Sequence, residues 1–323
     1  MPICSYCDQD RAATREHIIP SWYYKHDPSP DDVGFMERAK GKIVKTELVI
    51  RDVCGDCNNG PLSELDAYGK ELFFSHLARY VFKDSCESLS YEYEKLVRWL
   101  LKISYNSARA HDSDAEILAQ YKKAILGEQA LPAGLILRLR TIAPATHGAY
   151  TVFPAAKDSV IADHPAWFRV GVFRVKGFDS MYWAFRHITI NSYSFLLYIP
   201  DLSSSHALAE AGSLMSAVAT ENNGSILLNS TGELVVPEPR IDSISFNMNH
   251  IGQFPITYEV VESDAIKAAL DNQFGLVNYW IDRKDIEGKN ISNALAFLND
   301  LISSRDVLHN HLIGDNWFST EAW

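Results

Sequence analysis

The sequence predicts an α+β protein, in which a small metal-stabilised module of two strands and a helix precedes a larger α+β domain with an antiparallel sheet. Two Cys-x-x-Cys pairs, at 4–7 and 54–57, frame the module. Segments rich in Val, Ile, Phe and Tyr, which favour strands, are concentrated between 135 and 199. Apolar residues recur at helical spacing over 93–110 and 207–220.

The first unit reads as strand, loop, strand and helix. Residues 14–19 predict a short strand, and the polar segment 21–41, with its prolines and glycines, argues against regular structure. Residues 43–53 are apolar and β-branched and predict a second strand. Pro61 suits the first turn of a helix, which the leucine spacing then extends to about Val81.

The polar stretch 82–92 predicts a domain boundary, with a module at 1–82 and an α+β domain of unknown role at 93–323. The elements predicted for the second domain are helices at 93–110, 115–126, 207–220, 264–274 and 291–305, and strands at 135–143, 149–154, 168–175, 182–190, 194–199, 225–228, 234–236 and 243–247.

Composition narrows the class of protein. The net charge of −11 argues against a surface built for nonspecific nucleic-acid binding. No apolar run reaches the roughly 20 residues that span a bilayer, and the N-terminus lacks the apolar segment of a signal peptide. We therefore expect a cytoplasmic protein, where paired cysteines favour metal ligation over disulfides. Cys86, outside the pairs, is expected to be buried.

The two cysteine pairs predict a zinc site. Cys4, Cys7, Cys54 and Cys57 offer four thiolates, which suits the closed tetrahedral shell of a structural zinc. A small module buries little surface by itself, so the ion should contribute much of its folding energy. With all four positions filled by protein, we expect no catalytic role for this metal.

His17, with Glu16 beside it, lies between the cysteine pairs, and Asn58 follows the second pair. Histidine suits a general base near neutral pH. Carboxylate and amide oxygens suit Mg²⁺ or Mn²⁺. If the zinc brings these residues together, they combine a base with a hard cation, as phosphodiester hydrolysis requires.

A basic cluster borders this predicted site. Arg38, Lys40, Lys42 and Lys45 precede the second cysteine pair and are candidate nucleic-acid contacts. The alternative is a solvated loop and hairpin edge without any ligand.

The ordered set Cys4-x-x-Cys7, Glu16-His17-Ile18-Ile19-Pro20 and Cys54-x-x-Cys57-Asn58 resembles the zinc-bearing HNH endonucleases, which have the ββα-metal or His-Me finger fold. The resemblance covers roughly residues 1–75. It implies that His17 activates water and that Glu16, where Asp is more usual, binds one catalytic Mg²⁺ or Mn²⁺ together with Asn58. It also implies a nucleic-acid substrate, with DNA expected, and 5′-phosphate and 3′-hydroxyl products.

The chain departs from the family pattern at one position. The middle Asn, which steadies the loop bearing the histidine, is missing from residues 48–53. Asp52 or Arg51 could substitute, or the role could be absent. Asp66, with Asn59 and Ser63, resembles a subgroup pattern that makes Asp66 a further ligand of the catalytic ion or a group that orients one. The alternatives are an exposed helix carboxylate for Asp66 and a helix cap for Asn59.

The second domain carries no motif that we can tie to chemistry. Four aromatic residues could stack on bases, but their β-rich setting favours core packing: Trp167, Tyr182, Trp183 and Phe185. We expect this domain to target or gate cleavage through a ligand, a partner or homo-oligomerisation, and anti-phage defence is plausible by analogy alone. The alternative functions are a catalytically silent zinc module that binds nucleic acid or protein, and a ligand-gated effector.

Overall fold

A computed structural model of the chain describes residues 2–25, 34–37, 42–45, 49–82, 86–111, 114–143, 145–146, 161–163, 168–173, 175, 178, 181–220 and 224–242. For residues 34–37, 42–45, 111, 145–146, 161–163, 169, 217–220 and 241–242 it describes the backbone alone. The predicted elements at 149–154, 243–247, 264–274 and 291–305 lie outside the described residues.

The chain combines helices with mainly antiparallel strands, and the two occur in separate runs along the sequence, which confirms the predicted α+β class. The helices are α1 (Ser21–Tyr24), α2 (Gly55–Cys57), α3 (Ser63–Leu72), α4 (Tyr93–His111), α5 (Ala115–Ala119), α6 (Lys122–Leu126) and α7 (Ser205–Thr220), with π-helical turns at Asn58–Leu62 and Phe73–Leu77. The strands are β1 (Ala13–His17), β2 (Gly34–Glu37), β3 (Lys42–Lys45), β4 (Val49–Cys54), β5 (Ser88–Tyr91), β6 (Ile136–Ala143), β7 (Ala145–Thr146), β8 (Ile161–Asp163), β9 (Phe168–Val172), β10 (Trp183–Ile190), β11 (Tyr193–Pro200), β12 (Ile226–Leu228), β13 (Gly232–Val235) and β14 (Ile241–Asp242).

The N-terminal module contains an antiparallel pair of strands, β1 and β4, with a helical segment directly after β4. β1 pairs with β4, and a bulge interrupts the register between Thr14 and Glu16. Helical structure starts at Gly55, earlier than the predicted start at Pro61. The backbone kinks at Gly60 (φ −97°, ψ −113°), so Pro61 lies just after a break within the helical segment.

Two expectations for the module were wrong in detail. The segment 21–41, predicted to lack regular structure, contains α1 and the strand β2. The predicted strand 43–53 is divided between β3, which pairs with β2, and β4, which pairs with β1. Strand pairing therefore overrides the local signal of the prolines and glycines in this segment.

Within the described residues, the larger sheet has six strands, with β12, β6, β11, β10 and β9 in spatial order and β14 beside β6. Neighbouring strands of this sheet pair antiparallel, except that β14 runs parallel to β6. The predicted antiparallel sheet is therefore confirmed. Asn191, with a positive φ of 49°, lies in the turn between β10 and β11. Its Nδ2 donates to the carbonyl of Leu77, which ties this turn to the N-terminal helical segment.

Both faces of this sheet are covered by apolar groups. One face packs with α4 into the main core, to which Leu139, Phe195 and Leu197 contribute. The other face packs against α7, with Trp183 and Phe185 buried in a second core cluster. Core packing rather than base stacking is thus confirmed for these two aromatic residues.

Helix α4 is the central element of the main core. Residues on every side of it are buried, as expected of a helix that is enclosed by the protein. It approaches α3 so closely that a Cβ atom on Gly69 would lie 2.2 Å from the ring of Trp99. The main core includes residues from Cys4 to Val236, so the predicted module and the second region share buried contacts across the predicted 82–92 boundary.

Two smaller expectations had different outcomes. The predicted helix at 115–126 is divided into α5 and α6, and it ends at Gly127, as predicted, where φ is 78°. Cys86 is exposed, so its predicted burial was wrong. It lies before the start of β5 and outside the core, so the general tendency of free cysteines to be buried does not apply there.

Candidate metal centre and histidine site

The four paired cysteines form one compact cluster. All their sulfur atoms lie within 4.8 Å of one another. The Sγ atoms of Cys4 and Cys57 are 4.0 Å apart, and those of Cys7 and Cys54 are 3.7 Å apart. A tetrahedral ion with metal–sulfur bonds of about 2.3 Å would place its sulfurs about 3.8 Å apart, so this arrangement fits a metal with four thiolate ligands.

Backbone groups around the cluster favour a thiolate at Cys4. The N–H of Cys54 donates to Cys4 Sγ at 3.3 Å. Burial opposes ionisation of Cys4, but backbone N–H groups of Cys7, Cys54 and Tyr6 outweigh it and lower the pKa of this thiol to about 6. Burial raises the pKa of Cys7 and, more strongly, that of Cys57. A metal must therefore displace protons there, which makes its binding pH-dependent.

His17 is the last residue of β1 and is half-buried. Its ring centroid lies 6.3 Å from that of Tyr24 in α1. Successive side chains of a strand leave opposite faces. This alternation agrees with a half-buried His17 beside a Glu16 that is 4% exposed.

Asn58 joins the start of the helical segment to β1. Its Nδ2 donates to Thr14 Oγ1 at 2.9 Å and to the carbonyl of Arg15 at 2.8 Å. These contacts lie at the bulge of β1, close in sequence to His17. Asn59 makes no cap, because the helical segment begins earlier, at Gly55.

The carboxylates of Glu16 and Asp66 lie close together, but the group between them is the ammonium of a lysine. The Nζ atom of Lys102 lies 2.8 Å from Glu16 Oε1 and 2.6 Å from Asp66 Oδ2. Burial raises the pKa of Glu16, while Lys102 opposes this shift. Burial also acts to lower the pKa of Lys102, but Asp66 and Glu16 outweigh it and raise that pKa, so the ammonium stays charged.

The predicted ligands of a catalytic Mg²⁺ or Mn²⁺ are already bonded to other groups of the protein. Oxygen atoms of Glu16 and Asp66 already contact an ammonium group, and the amide nitrogen of Asn58 donates to β1. A divalent ion between the two carboxylates would have to displace Lys102. The three residues, as they are placed, therefore do not fit a divalent-ion site.

Asn106 of α4 is a site residue that the sequence did not indicate. Its Nδ2 donates to Glu16 Oε1 at 3.0 Å and to the His17 carbonyl at 3.2 Å. Its Oδ1 accepts from Tyr6 Oη at 2.6 Å and from Arg109 Nη2 at 2.7 Å. Asn106 is 0% exposed, so its amide has no access to solvent and bonds to protein groups, which include two on the strand that carries the histidine.

Arg109 extends the same contacts to the first cysteine turn. Its Nη1 donates to Asp52 Oδ2 at 2.7 Å and to the hydroxyl of Ser5. Its guanidinium also lies over the rings of Tyr6 and Tyr105. Asp52, a candidate for the role of the missing middle Asn, thus pairs with α4.

The sequence carried one signal for these contacts. Lys102, Asn106 and Arg109 are spaced at i, i+4 and i+7, which places them on one stripe of α4. Polar residues at that spacing within an apolar helix indicate a buried polar contact, but they do not identify the partner.

The basic cluster is only partly within the described residues. Arg38 and Lys40 lie outside them. Lys42 and Lys45 are the first and last residues of β3, where the backbone alone is described. Their role as nucleic-acid contacts stays a prediction.

Comparison with protein-family models, with curated proteins and with solved structures gives no match. Among the described residues, no helix combines the length and apolar character that crossing a bilayer requires.

Proposed function

We propose that this protein is a nuclease of the zinc-bearing HNH type, which hydrolyses phosphodiester bonds in DNA with His17 as the general base. The observation that carries the proposal is the position of His17. It ends the first of two antiparallel strands, the second of which leads into a helical segment. Four cysteines cluster, one pair from before the first strand and one from the junction of the second strand with the helical segment. This order of elements agrees with the ββα-metal fold.

We further propose that the cysteine cluster binds a structural Zn²⁺. Thiolates are the ligands that zinc favours in closed sites, and four of them leave no position for water or substrate. The ion would hold the turn at Cys4 against the end of β4 and so keep β1 in place.

In the proposed reaction, the imidazole of His17 takes a proton from the water that attacks phosphorus. The bond between phosphorus and O3′ breaks as the new bond forms, and the leaving O3′ takes up a proton from solvent, which gives a 5′-phosphate and a 3′-hydroxyl. A half-buried histidine can reach both solvent and substrate. Asn106 would hold the backbone of His17 through its carbonyl. The expectation of Mg²⁺ or Mn²⁺ rests on the resemblance alone, because Glu16 and Asp66 hold Lys102.

A catalytically silent zinc module that binds nucleic acid or protein is the second candidate. The contact of Lys102 with Glu16 and Asp66 favours it, because the two acidic residues assigned to catalysis serve packing instead. In either case, we propose that the second region targets or gates the module through a ligand, a partner or self-association. A role in anti-phage defence stays a prediction.

The test is nicking of supercoiled plasmid by the full chain in Mg²⁺, in Mn²⁺ and in EDTA, after elemental analysis for zinc. We expect one zinc ion per chain, because four thiolates complete one shell. His17→Ala should slow cutting by about a hundredfold or more, since it removes the general base. His206→Ala, an exposed histidine on α7 paired with Glu210, is the matched control and should cut normally.

The outcomes separate the two candidates. Cutting that survives His17→Ala would reject His17 as the base. A folded, zinc-loaded wild type that binds DNA without cutting it in any of the three conditions would favour the silent module.

A further inference from the structure

The Lys102 ammonium group is buried inside the module. Its side chain is 1% exposed, and it lies between Glu16 and Asp66 at 2.8 Å and 2.6 Å. The carbonyl of Leu62, 3.4 Å away, accepts from the same nitrogen. An ammonium has three donors, and here each has an acceptor.

The groups around Lys102 are those expected of a buried ion pair between an ammonium and two carboxylates. A buried charge is retained only where partners compensate for the loss of water. Two carboxylates from β1 and α3 provide that compensation, and Asn106 donates a further hydrogen bond to Glu16 at 3.0 Å. The ammonium therefore joins α4 to β1 and to α3, the two elements whose carboxylates the resemblance assigns to metal binding.

We propose that Lys102 is the resident cation of the Glu16–Asp66 pair and takes the place that the resemblance gives to a divalent ion. Glu16 and Asp66 are then positioning residues, which hold the His17 strand and α3 against α4 and do not bind a catalytic metal. A divalent ion next to the ammonium would be repelled at short range in a site with little water to screen it. This proposal rests on the proposed function only where it is tested by DNA nicking; the Mn²⁺ titration does not depend on it.

Removal of the ammonium should convert the pair into a metal site. Lys102→Met keeps an unbranched side chain that reaches as far as Cε but lacks the ammonium, so it leaves two facing carboxylates without a cation. Carboxylate oxygens are good ligands for Mn²⁺. Lys95→Met is the matched control, because Lys95 lies on the same helix and pairs with Glu92 at 2.9 Å at the surface.

The experiment is Mn²⁺ titration of zinc-loaded full-length protein, followed by electron paramagnetic resonance of free Mn²⁺. We expect Lys102→Met to gain a site that binds at least about tenfold more tightly than any wild-type site, and Lys102→Met with Asp66→Asn to lose it. Lys95→Met should gain nothing. A folded Lys102→Met protein without a new site would overturn the proposal.

Two variants with an intact lysine give a test that does not depend on the folding of Lys102→Met. Glu16→Gln and Asp66→Asn should leave Mn²⁺ binding unchanged. A fall of about tenfold or more in the affinity of either would mean that the pair binds the metal in the native protein, contrary to the proposal.

Nicking separates this proposal from the proposed function. If the protein cuts DNA, Glu16→Gln should lower the rate without shifting the Mn²⁺ concentration that gives half the maximal rate. A shift of about tenfold or more would place the metal at Glu16 and overturn the resident-cation assignment. If the protein does not cut, the nuclease proposal fails, and the titration still decides the identity of the cation.

Discussion

Replacement of Asn106 by alanine tests whether α4 holds the histidine strand. The side-chain amide makes four hydrogen bonds, to Glu16, the carbonyl of His17, Tyr6 and Arg109. Because the residue is 0% exposed, water cannot replace these bonds without a rearrangement of the core. The substitution removes all four bonds and leaves their partners buried.

The magnitude follows from the count of bonds. A buried hydrogen bond contributes about 1 kcal/mol net, and a partner left unsatisfied adds to the loss, so we expect a decrease of about 4 kcal/mol in the free energy of unfolding. Tyr121→Phe is the matched control. It removes one buried bond, 2.7 Å long, from the tyrosine hydroxyl to the carbonyl of Pro200, and should cost about 1 kcal/mol.

The assay is urea denaturation of zinc-loaded protein, with zinc content and plasmid nicking measured on the same samples. We expect Asn106→Ala to retain zinc, because it makes no contact with a cysteine sulfur among the described residues, and to cut at least about tenfold more slowly because His17 is displaced. A loss of stability no larger than that of Tyr121→Phe would refute the assignment of Asn106 as the anchor of β1. Normal nicking by a destabilised protein would show that it does not position His17.

Two further substitutions test the packing. Gly69→Ala should destabilise the protein by about 2 kcal/mol or more, because the added Cβ would overlap the ring of Trp99. Gly212→Ala is the control: the space around Gly212 is open, so this variant should be neutral or stabilised by up to about 1 kcal/mol. Thermal unfolding would measure both variants, and equal effects would contradict the close approach of α3 to α4. Tyr193→Phe removes a buried hydroxyl, and burial raises the pKa of this hydroxyl to about 12. Because the tyrosine ionises more readily in the unfolded chain, the wild type should lose up to about 3 kcal/mol of stability relative to the variant as the pH rises from 10 to 12. Urea denaturation over this pH range would measure the difference, and a constant difference would contradict the raised pKa.

Local patterns predicted the cysteine cluster because the geometry within each pair is local. Each Cys-x-x-Cys pair places two sulfurs on one turn, and thiolate chemistry then requires the pairs to meet, as Cys4 and Cys57 do. The strands β6, β10 and β11 were predicted for a similar reason, because runs of apolar and β-branched residues favour a sheet that is buried on both faces. The exact start of the helical segment was not predicted, because it depends on the turn that bears Cys57.

Local sequence also placed His17 in a short strand, predicted over 14–19 and observed as Ala13–His17, but it did not indicate what supports this strand. The resemblance placed the missing Asn among residues 48–53, but within the described residues Asn106 donates to the His17 carbonyl. A donor so far along the chain reaches that carbonyl only through the packing of α4 on the module. Local spacing contains no information about that packing.

The sequence alone therefore determined the α+β class, the four cysteines that cluster and the strand that carries His17, since each depends on residue chemistry and on short-range periodicity. Only the tertiary structure decided that Glu16 and Asp66 meet Lys102. An isolated carboxylate is equally compatible with solvent, a metal ion or an ammonium group. Its partner is set by which helix the fold brings into contact with it and by how much water that contact excludes.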